Sequence, residues 1–349
     1  MEKKFSIAML GAGSWGTALS LVLADNNHDV RLWGHRQEAM EKMKETRINQ
    51  RYLPGAHLPE SIVPTSSLKT ACTHADVIIF AVPTKAIREV CQKVKGHIGQ
   101  PMRFVHVSKG IEPDSLCRIS EMIHEELGDL VQDLVVLSGP SHAEEVQLRH
   151  PTTVTVASSS MVAAEWVQDL FMTRHFRVYT NPDLIGVELG GALKNIIALA
   201  AGISDGLGFG DNAKAALITR GLAEIARLGT KMGARPLTFS GLTGIGDLIV
   251  TCTSVHSRNW RAGNMLGKGK HLDEVLEQMG MVVEGVRTTK AAYQLSKRYD
   301  VNMPITNALY SVLFSGVMAK TAVEQLMART RTDEMEELAG ILDDGDTVR

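Results

Sequence analysis

The segment Gly11-Ala12-Gly13-Ser14-Trp15-Gly16 constrains the fold of this chain more than any other feature. It has the spacing G-x-G-x-x-G, follows the apolar run Phe5–Leu10 directly, and precedes the helical pattern Thr17–Ala24. In a strand–turn–helix unit, the first glycine permits a tight turn, the second lets a pyrophosphate approach the backbone, and the third lets the helix pack on the strand. The segment therefore predicts a dinucleotide-binding unit, and the alternative interpretation is a plain glycine-rich turn.

Short β-branched runs alternate with helical patterns up to Asn181-Pro182-Asp183, and nearly every segment after that point has helical periodicity. Such alternation indicates a mainly parallel sheet covered by helices. We predict an α/β N-terminal Rossmann-like doubly wound domain over residues 1–182. An all-α C-terminal domain follows over 183–349 and ends in an acidic tail, because residues 333–346 hold seven acids and no base. The predicted strands are Phe5–Leu10, Val30–Trp33, Val77–Val82, Phe104–Val107, Leu134–Leu137, Thr152–Ala157 and Phe176–Tyr179, and Asp114–Glu126 is among the predicted helices.

The end of the second predicted strand indicates which dinucleotide would bind. An NAD site normally places Asp or Glu about 20 residues after the glycine motif, where it holds the ribose hydroxyls. Here that position is Gly34, followed by His35 and Arg36. A guanidinium beside the adenine ribose favours a 2′-phosphate, so the sequence favours NADP(H), with NAD(H) as the alternative cofactor. In the other interpretation, Arg36 is a solvated residue that opens the next helix.

Lys194 lies in the helical stretch Glu188–Asn195, on a face made of glycine and alanine. The small residues on this face are Gly190, Gly191, Ala198 and Ala201. A lysine among small apolar neighbours has a lowered pKa and is suited to donate or accept a proton. The alternative is an exposed lysine beside a helix–helix contact.

Two further segments are candidates for binding an anionic substrate. Ser257-Arg258-Asn259 precedes a helical stretch, so a hydroxyl, a guanidinium, an amide and free helix N–H groups would meet there, although ordinary capping explains the same pattern. Asp247 ends the glycine-rich run Gly241–Asp247 and would either pair with a catalytic lysine or cap the next helix.

Two strand ends carry polar residues where doubly wound sheets bind their ligands. Lys109 lies in Ser108-Lys109-Gly110 after the fourth predicted strand, and Ser138-Gly139-Pro140-Ser141 follows the fifth. We expect Lys109 to be functional rather than an ordinary surface lysine.

Composition and cysteine spacing exclude several classes of protein. With 37 basic and 39 acidic residues, the net charge of −2 gives no strong field for nucleic acid or for a membrane surface. The four cysteines have neither C-x-x-C spacing nor histidine neighbours at metal-ligand spacing, which argues against a disulfide framework and a metal site and for a cytoplasmic protein. Polar residues or glycines interrupt both long uncharged runs, Phe5–Ala24 and Val301–Ala319, so we predict no integral membrane segment.

Taken together, these motifs resemble those of the bacterial-type NAD(P)-dependent glycerol-3-phosphate dehydrogenase family. The resemblance extends from about residue 5 to residue 330 and is carried by Gly11–Leu19, Ser108–Gly110, Leu137–Glu144, Glu188–Asn195, Gly241–Asp247 and Ser257–Asn259. It implies reversible reduction of dihydroxyacetone phosphate to sn-glycerol 3-phosphate, which supplies glycerophospholipid synthesis.

The resemblance also implies roles for individual positions. Lys194 falls where the family has its proton donor and acceptor. The implied substrate contacts are Lys109, Gly139, Ser141, Lys194, Asp247, Ser257, Arg258 and Asn259. The implied cofactor contacts are Gly11, Gly13, Ser14, Trp15, Gly16, His35, Arg36, Lys109, Ala143, Arg258, Val282 and Glu284. We expect no metal ion and a homodimer formed through the helical half.

Two other functions fit part of the pattern. Another two-domain NADP-dependent dehydrogenase of the hydroxyacid type would also combine a Rossmann-like domain with helices, but it would lack the Gly244–Asp247 and Ser257–Asn259 runs. A non-catalytic NADP-binding sensor is the second alternative, because the fold alone does not establish turnover. Such a sensor would bind the nucleotide without oxidising it in the presence of any small ketone.

Overall fold

The computed structural model describes residues 3–331, so the predicted acidic tail lies outside the described residues. The chain divides into two compact units. Of the described residues, the first unit comprises 3–108 together with Ile119–Leu184, and the second comprises Lys109–Arg118 and 185–331. The prediction of one uninterrupted first domain over 1–182 thus differs from the structure at residues 109–118. Periodicity did not reveal this, because the segment lies between a strand and a helix of the first unit.

The first unit contains all ten strands of the described chain and seven α-helices. In chain order these are β1 (Ser6–Leu10), α1 (Ser14–Asp25), β2 (Asp29–Trp33), α2 (Gln37–Thr46), β3 (Ile48–Asn49), β4 (Leu53–His57), β5 (Ile62–Thr65), α3 (Leu68–Cys72), β6 (Val77–Phe80), α4 (Ile87–Lys95), β7 (Met102–His106), α5 (Ile119–Leu127), β8 (Val131–Ser138), α6 (Ala143–Gln147), β9 (Thr152–Ala157), α7 (Met161–Phe171) and β10 (Phe176–Asn181).

Eight of these strands form one sheet in the order β10-β9-β8-β7-β6-β1-β2-β5. All neighbouring pairs are parallel except β8 and β9, which are antiparallel. Residues Ile7–Leu10 of β1 are fully buried, which means that both faces of the sheet are covered. The strand order reverses between β1 and β6, and the structure confirms the predicted Rossmann-like doubly wound sheet.

The predicted strands omit β3, β4 and β5. β3 has only two residues, and β4 and β5 contain the strand-disfavouring residues Pro54, Gly55 and Pro64. Pro64 is tolerated because β5 forms an edge of the sheet, where every second backbone N–H points away from the sheet and has no strand partner. Strand propensity therefore could not identify these three elements.

The second unit is helical, as predicted. Its α-helices are α8 (Leu184–Gly206), α9 (Asp211–Lys231), α10 (Asp247–Thr253), α11 (Arg258–Gly267), α12 (Leu272–Met279), α13 (Glu284–Arg298), α14 (Pro304–Phe314) and α15 (Ala319–Met327). By length and composition, α8 is the one helix of residues 3–331 that could cross a bilayer, but 83% of its most apolar window is buried inside the protein. It is the central helix of the core of this unit.

Residues 109–118 form a closed loop rather than the start of the predicted helix Asp114–Glu126. Asp114 and Leu116 have φ angles of 78° and 64°, which interrupt a right-handed helix, and α5 begins only at Ile119. The amide of Glu112 donates to the carbonyl of Cys117 at 3.0 Å, and a β-bridge joins Ile111 to Arg118. The helix prediction was therefore wrong over residues 114–118.

Candidate active site

Lys194 is buried inside the helical unit, with 6% of its surface exposed. Its Nζ donates to Oδ1 of Asp247 and also, at 2.7 Å, to Oγ1 of Thr251. Thr251 in turn donates to the backbone carbonyl of Asp247 at 2.6 Å, which fixes the direction of its hydroxyl. The interpretation of Lys194 as an exposed surface lysine is therefore wrong.

Asp247 holds two lysines at once. Its side chain is 1% exposed, and its second oxygen, Oδ2, lies 2.6 Å from Nζ of Lys109. Lys109, Asp247 and Lys194 come from residues 109–118, α10 and α8, which all belong to the second unit. Of the two roles predicted for Asp247, the structure shows pairing with a lysine.

The burial of this cluster changes the proton affinity of its members. Burial lowers the pKa of Lys194 from 10.5 to about 8; the carboxylate of Asp247 raises this pKa, and the neighbouring ammonium of Lys109 lowers it. Burial alone would raise the pKa of Asp247, but the two ammonium groups outweigh that effect and hold it below its ordinary value. The cluster thus combines a carboxylate whose pKa is lowered with a lysine whose pKa is also lowered.

Glycines let the backbone around the cluster pack closely. A Cβ at Gly190 would lie 3.0 Å from the carbonyl oxygen of Thr243, which belongs to the π-helical turn Leu242–Gly246 before Asp247. A Cβ at Gly244 would lie 1.9 Å from the carbonyl oxygen of Phe239. The absence of a side chain at Gly190 thus lets the backbone of the turn Leu242–Gly246 approach α8, which places Asp247 beside Lys194.

The three residues Ser257-Arg258-Asn259 have different environments. Ser257 caps α11 by accepting from the amide of Trp260 at 3.2 Å. Asn259 donates to Oδ1 of Asn195 and accepts from the amide of Gly285, each at 2.9 Å, so its amide group joins α8, α11 and α13. Arg258 is exposed at the first position of α11.

The glycine motif in the first unit has the geometry of a phosphate-binding turn. Gly11 has a φ of 128°, and a Cβ there would lie 2.4 Å from the carbonyl oxygen of Ala81, after β6. A Cβ at Gly16 would lie 2.0 Å from the carbonyl oxygen of Gly11, whereas one at Gly13 would meet no described atom within 4 Å. The three glycines thus have the three different roles that the motif predicts.

The start of α1 is suited to an anion. No side chain caps it, and its first turn has no acidic residue, so its amide groups are available for phosphate oxygens. The buried Nε1 of Trp15 has no hydrogen-bond partner in the described part of the chain. The hydroxyl of Ser14, the first residue of α1, donates to the backbone carbonyl of Tyr52 at 2.7 Å. These observations fit a bound dinucleotide diphosphate.

Gly34, His35 and Arg36 follow β2. A Cβ at Gly34 would lie 2.8 Å from the Sδ of Met40 and 3.2 Å from the Cβ of Ala12, so any side chain at this position would require Met40 to move. His35 and Arg36 are exposed, and Arg36 is the residue before α2. Its position is compatible with both interpretations, the 2′-phosphate ligand and the helix-opening residue.

The remaining predicted residues lie at the ends of elements. Gly139, with a φ of 139°, follows β8, and Ser141 donates to its carbonyl at 3.0 Å. Ala143 begins α6 in the first unit. Val282 and Glu284 flank the start of α13 in the second unit.

Thr251 is the site residue that the sequence analysis missed. It follows Asp247 by one helical turn on α10, so both side chains lie on one face. That i, i+4 spacing was the available signal, but threonine is too common in helices for the spacing to be specific. Within residues 3–331, no group of three or more His, Cys, Asp or Glu side chains could hold a metal ion.

Comparison with known proteins places these two units together in one family. Residues 6–164 match the family model described as NAD-dependent glycerol-3-phosphate dehydrogenase N-terminus, and residues 183–324 match the model of its C-terminus. A relative from Bacillus velezensis named glycerol-3-phosphate dehydrogenase (NAD(P)+) is 72% identical over 333 residues, or 95% of this chain and 96% of the relative. A relative of the same name from Bacillus subtilis is 70% identical over 333 residues, with the same coverage. A crystal structure of glycerol-3-phosphate dehydrogenase from Coxiella burnetii has a TM-score of 0.90 and 40% identity, covering 93% of this chain and 99% of that one.

Proposed function

Because the chain belongs to the NAD-dependent glycerol-3-phosphate dehydrogenase family, we propose that it reduces dihydroxyacetone phosphate reversibly to sn-glycerol 3-phosphate, with Lys194 as general acid and base. Membership of this family makes the chain an oxidoreductase. The observation that carries the proposal is the buried contact of Lys194 with Asp247, next to the second lysine, Lys109. A carbonyl reductase needs such a proton donor beside the oxygen that gains charge.

The hydrogen bonds of Lys194 support this role. A lysine ammonium has three N–H donors, and two of them are directed to Asp247 and Thr251 in the described chain. The third is available to a substrate oxygen. In the reductive direction Nζ donates its proton to the developing alkoxide, and in the oxidative direction the neutral amine accepts it. Asp247 stabilises the ammonium form and, with Thr251, fixes the position of Nζ.

The glycine turn at Gly11–Gly16 and the start of α1 would hold the dinucleotide, with Ser14, Trp15, His35, Arg36 and Ala143 as further contacts in the first unit. The resemblance adds Lys109, Arg258, Val282 and Glu284 from the second unit. When bound, the reduced nicotinamide supplies the hydride for the carbonyl carbon.

The relatives' names include both NAD and NADP. Arg36 and the absence of an acid at Gly34 support our proposal that NADP(H) is favoured, with NAD(H) as the alternative.

Arg258 would bind the substrate phosphate, because its guanidinium is exposed while Ser257 caps α11 and Asn259 joins three helices. Binding energy from this remote group orients the ketone without taking part in the chemistry. Gly139, Ser141, Ser257 and Asn259 would complete the substrate contacts, as the resemblance implies.

We further propose that the product supplies glycerophospholipid synthesis and that the enzyme acts as a cytoplasmic homodimer. The cysteines Cys72, Cys91, Cys117 and Cys252 are free thiols, which supports a reducing compartment. The helical half is our proposed dimer contact.

An optical assay of NADPH oxidation tests the proposal. The purified protein is offered dihydroxyacetone phosphate, dihydroxyacetone, glyceraldehyde 3-phosphate and a 2-oxo acid in parallel. We expect rapid oxidation with dihydroxyacetone phosphate only. Preference for the 2-oxo acid would favour a hydroxyacid-type dehydrogenase, and binding of NADPH without oxidation by any of the ketones would favour the sensor.

A further inference from the structure

Residues 109–118, which we call the strap, begin with Lys109, whose ammonium contacts Asp247. Although its neighbours in sequence belong to the sheet unit, the strap belongs to the helical unit. Ile111 is 1% exposed and packs in the core of that unit, and the bridge from Ile111 to Arg118 closes the strap on itself. Lys109 therefore stands at one end of a closed loop, and Arg118 stands at the other.

The far end of the strap is held by a buried ion pair. Arg118 Nη1 donates to Oε2 of Glu188 on α8, the same helix that carries Lys194. The side chains are only 12% and 4% exposed. The desolvation of such a pair often cancels or exceeds its Coulombic gain, so stability alone does not account for it. The ion pair connects the end of the strap to α8, the helix that carries Lys194.

A second ion pair on the strap is a natural control. Lys290 contacts Asp114 at 3.1 Å, but these side chains are 44% and 79% exposed. Exposed pairs contribute little to stability and hold no unique geometry. The buried pair is therefore the stronger candidate for fixing the strap.

We propose that the Arg118–Glu188 ion pair is a positioning device, which holds the strap on α8 so that the ammonium of Lys109 stays on Asp247 and next to Lys194. This inference rests on the proposed function, because it gives the pair a role in proton transfer. Arg118 and Glu188 are positioning residues that act through Lys109.

The charge of Lys109 affects the pKa of Lys194. The charged and titratable groups that face Lys194 are Asp247 and Cys252 on α10 and Lys109 on the strap. Lys109 lowers the pKa of Lys194, and it also shares the carboxylate of Asp247. If the strap is released, Lys194 loses a repelling charge and gains sole use of Asp247. Both changes raise its pKa from about 8 toward 10.5.

The test is a direct titration of Lys194 by NMR in protein with isotope-labelled lysine side chains. The Lys194 signal is assigned by its absence in Lys194→Arg. The test variant is Arg118→Met/Glu188→Gln, which removes both charges of this ion pair together. We expect the pKa of Lys194 to rise in this variant and to stay at the wild-type value in Asp114→Asn. If the double variant lacks the wild-type circular dichroism, Glu188→Gln alone is titrated instead.

A double-mutant cycle separates positioning from a general loosening of the helical unit. In a Lys109→Met background, removing the Arg118–Glu188 pair should change the pKa of Lys194 no further, because the pair acts through Lys109. An unchanged pKa in the wild-type background would overturn the inference. A rise of equal size in the Lys109→Met background would also overturn it, since the pair would then act on Lys194 by another route.

The titration needs neither cofactor nor turnover, so its outcome is independent of the proposed function. Failure of the proposed function would appear as the absence of NADPH oxidation by the wild-type protein. In an active enzyme, we also expect the alkaline limb of the kcat profile for reduction to move to higher pH in Arg118→Met/Glu188→Gln. The single variant Arg118→Lys, which keeps a cation opposite Glu188, should have the wild-type profile.

Discussion

At the scale of single residues, Lys194 is a buried cation with a carboxylate on one side and a second cation nearby. Lys194→Ala should lower kcat by ~10²–10⁴, the range for loss of a general acid–base group. Lys194→Arg should not restore activity, because a guanidinium does not release its proton. Steady-state kinetics with Lys320→Ala, an exposed lysine on α15, as the control would measure this. An alanine variant with more than about a tenth of wild-type kcat contradicts the assignment and would make Lys109 the candidate.

The lowered pKa of Lys194 also predicts a pH dependence. Reduction needs the ammonium form, which is lost as the pH rises through about 8. Oxidation needs the neutral amine, so its rate should rise over the same interval. The two kcat profiles, measured from pH 6 to pH 10, should therefore have opposite slopes, and parallel slopes would be inconsistent with a single lysine serving both directions.

Arg258 is the residue whose removal should affect substrate binding rather than chemistry. Arg258→Ala should raise KM for dihydroxyacetone phosphate by roughly 10- to 150-fold, corresponding to ~1.5–3 kcal/mol for a charge-assisted hydrogen bond. The low activity with unphosphorylated dihydroxyacetone should change little. Arg261→Ala, an exposed arginine on the same helix, is the matched control. A change in KM below threefold would place Arg258 outside the phosphate site.

Arg36 should determine the choice of cofactor. Arg36→Ala should weaken NADPH binding by about tenfold or more, the loss of a charge-assisted contact, and leave NADH binding nearly unchanged. Fluorescence titration with both nucleotides measures this, and Lys44→Ala, also exposed and on α2, serves as the control. Equal losses for the two nucleotides would support the interpretation of Arg36 as a helix-opening residue.

At the scale of elements, α8 and α11 pack with their backbones in contact. Gly202 and Gly206 on α8 and Gly263 and Gly267 on α11 have the same four-residue spacing, and a Cβ at any of them would lie 2.0–2.5 Å from a carbonyl oxygen of the other helix. This packing sets the position of Arg258, at the start of α11, relative to Lys194 on α8.

Gly202→Ala should therefore separate the two helices. We expect a loss of ~1–3 kcal/mol in the free energy of unfolding from overpacking, even though alanine favours the helix itself by up to about 1 kcal/mol. Gly99→Ala, where a Cβ would meet no described atom within 4 Å, is the control. Urea denaturation of both variants makes the comparison, and equal stability of the two would show that the helices adjust without cost.

Glu224 on α9 holds the start of α14. Its carboxylate, in a side chain that is 1% exposed, accepts from the amides of Ile305 at 2.6 Å and Thr306 at 3.1 Å, and from the Thr306 hydroxyl at 3.0 Å. Burial raises the pKa of Glu224 from 4.5 to about 7, against the opposing effect of these donors and of Arg227. The folded state thus binds the proton of Glu224 more tightly than the unfolded state does.

The sign of this shift predicts how stability depends on pH. A raised pKa contributes stability below pH 4.5, and this contribution is lost as the pH rises through about 7. Glu224→Gln should cost ~1–3 kcal/mol at pH 5, because its NH₂ group cannot accept from the backbone amides. The difference from wild type should narrow toward pH 8. Urea denaturation between pH 5 and pH 8 measures this difference, and a constant difference would show that Glu224 does not titrate in this range.

At the scale of the whole molecule, patterns between near neighbours in the chain predicted most of the fold. The glycine motif, the apolar runs and the change of character near residue 182 were sufficient for the doubly wound sheet and the helical half. The close approach of Gly16 to the carbonyl oxygen of Gly11 is a local constraint, and the continuous apolar run of β1 appears directly in the sequence. The boundaries of short edge strands such as β5 were not predictable, because pairing rather than propensity defines them.

The sequence by itself determined the class of fold and the candidate residues Lys109, Lys194 and Asp247. Only the tertiary structure decided that these three residues are in contact, since Asp247 lies 53 positions from Lys194 and 138 from Lys109. It also assigned the strap to the helical unit and gave Thr251 a role. The physical reason is that secondary structure follows from interactions within a few residues, whereas a buried charge cluster depends on which distant side chains packing brings out of water together.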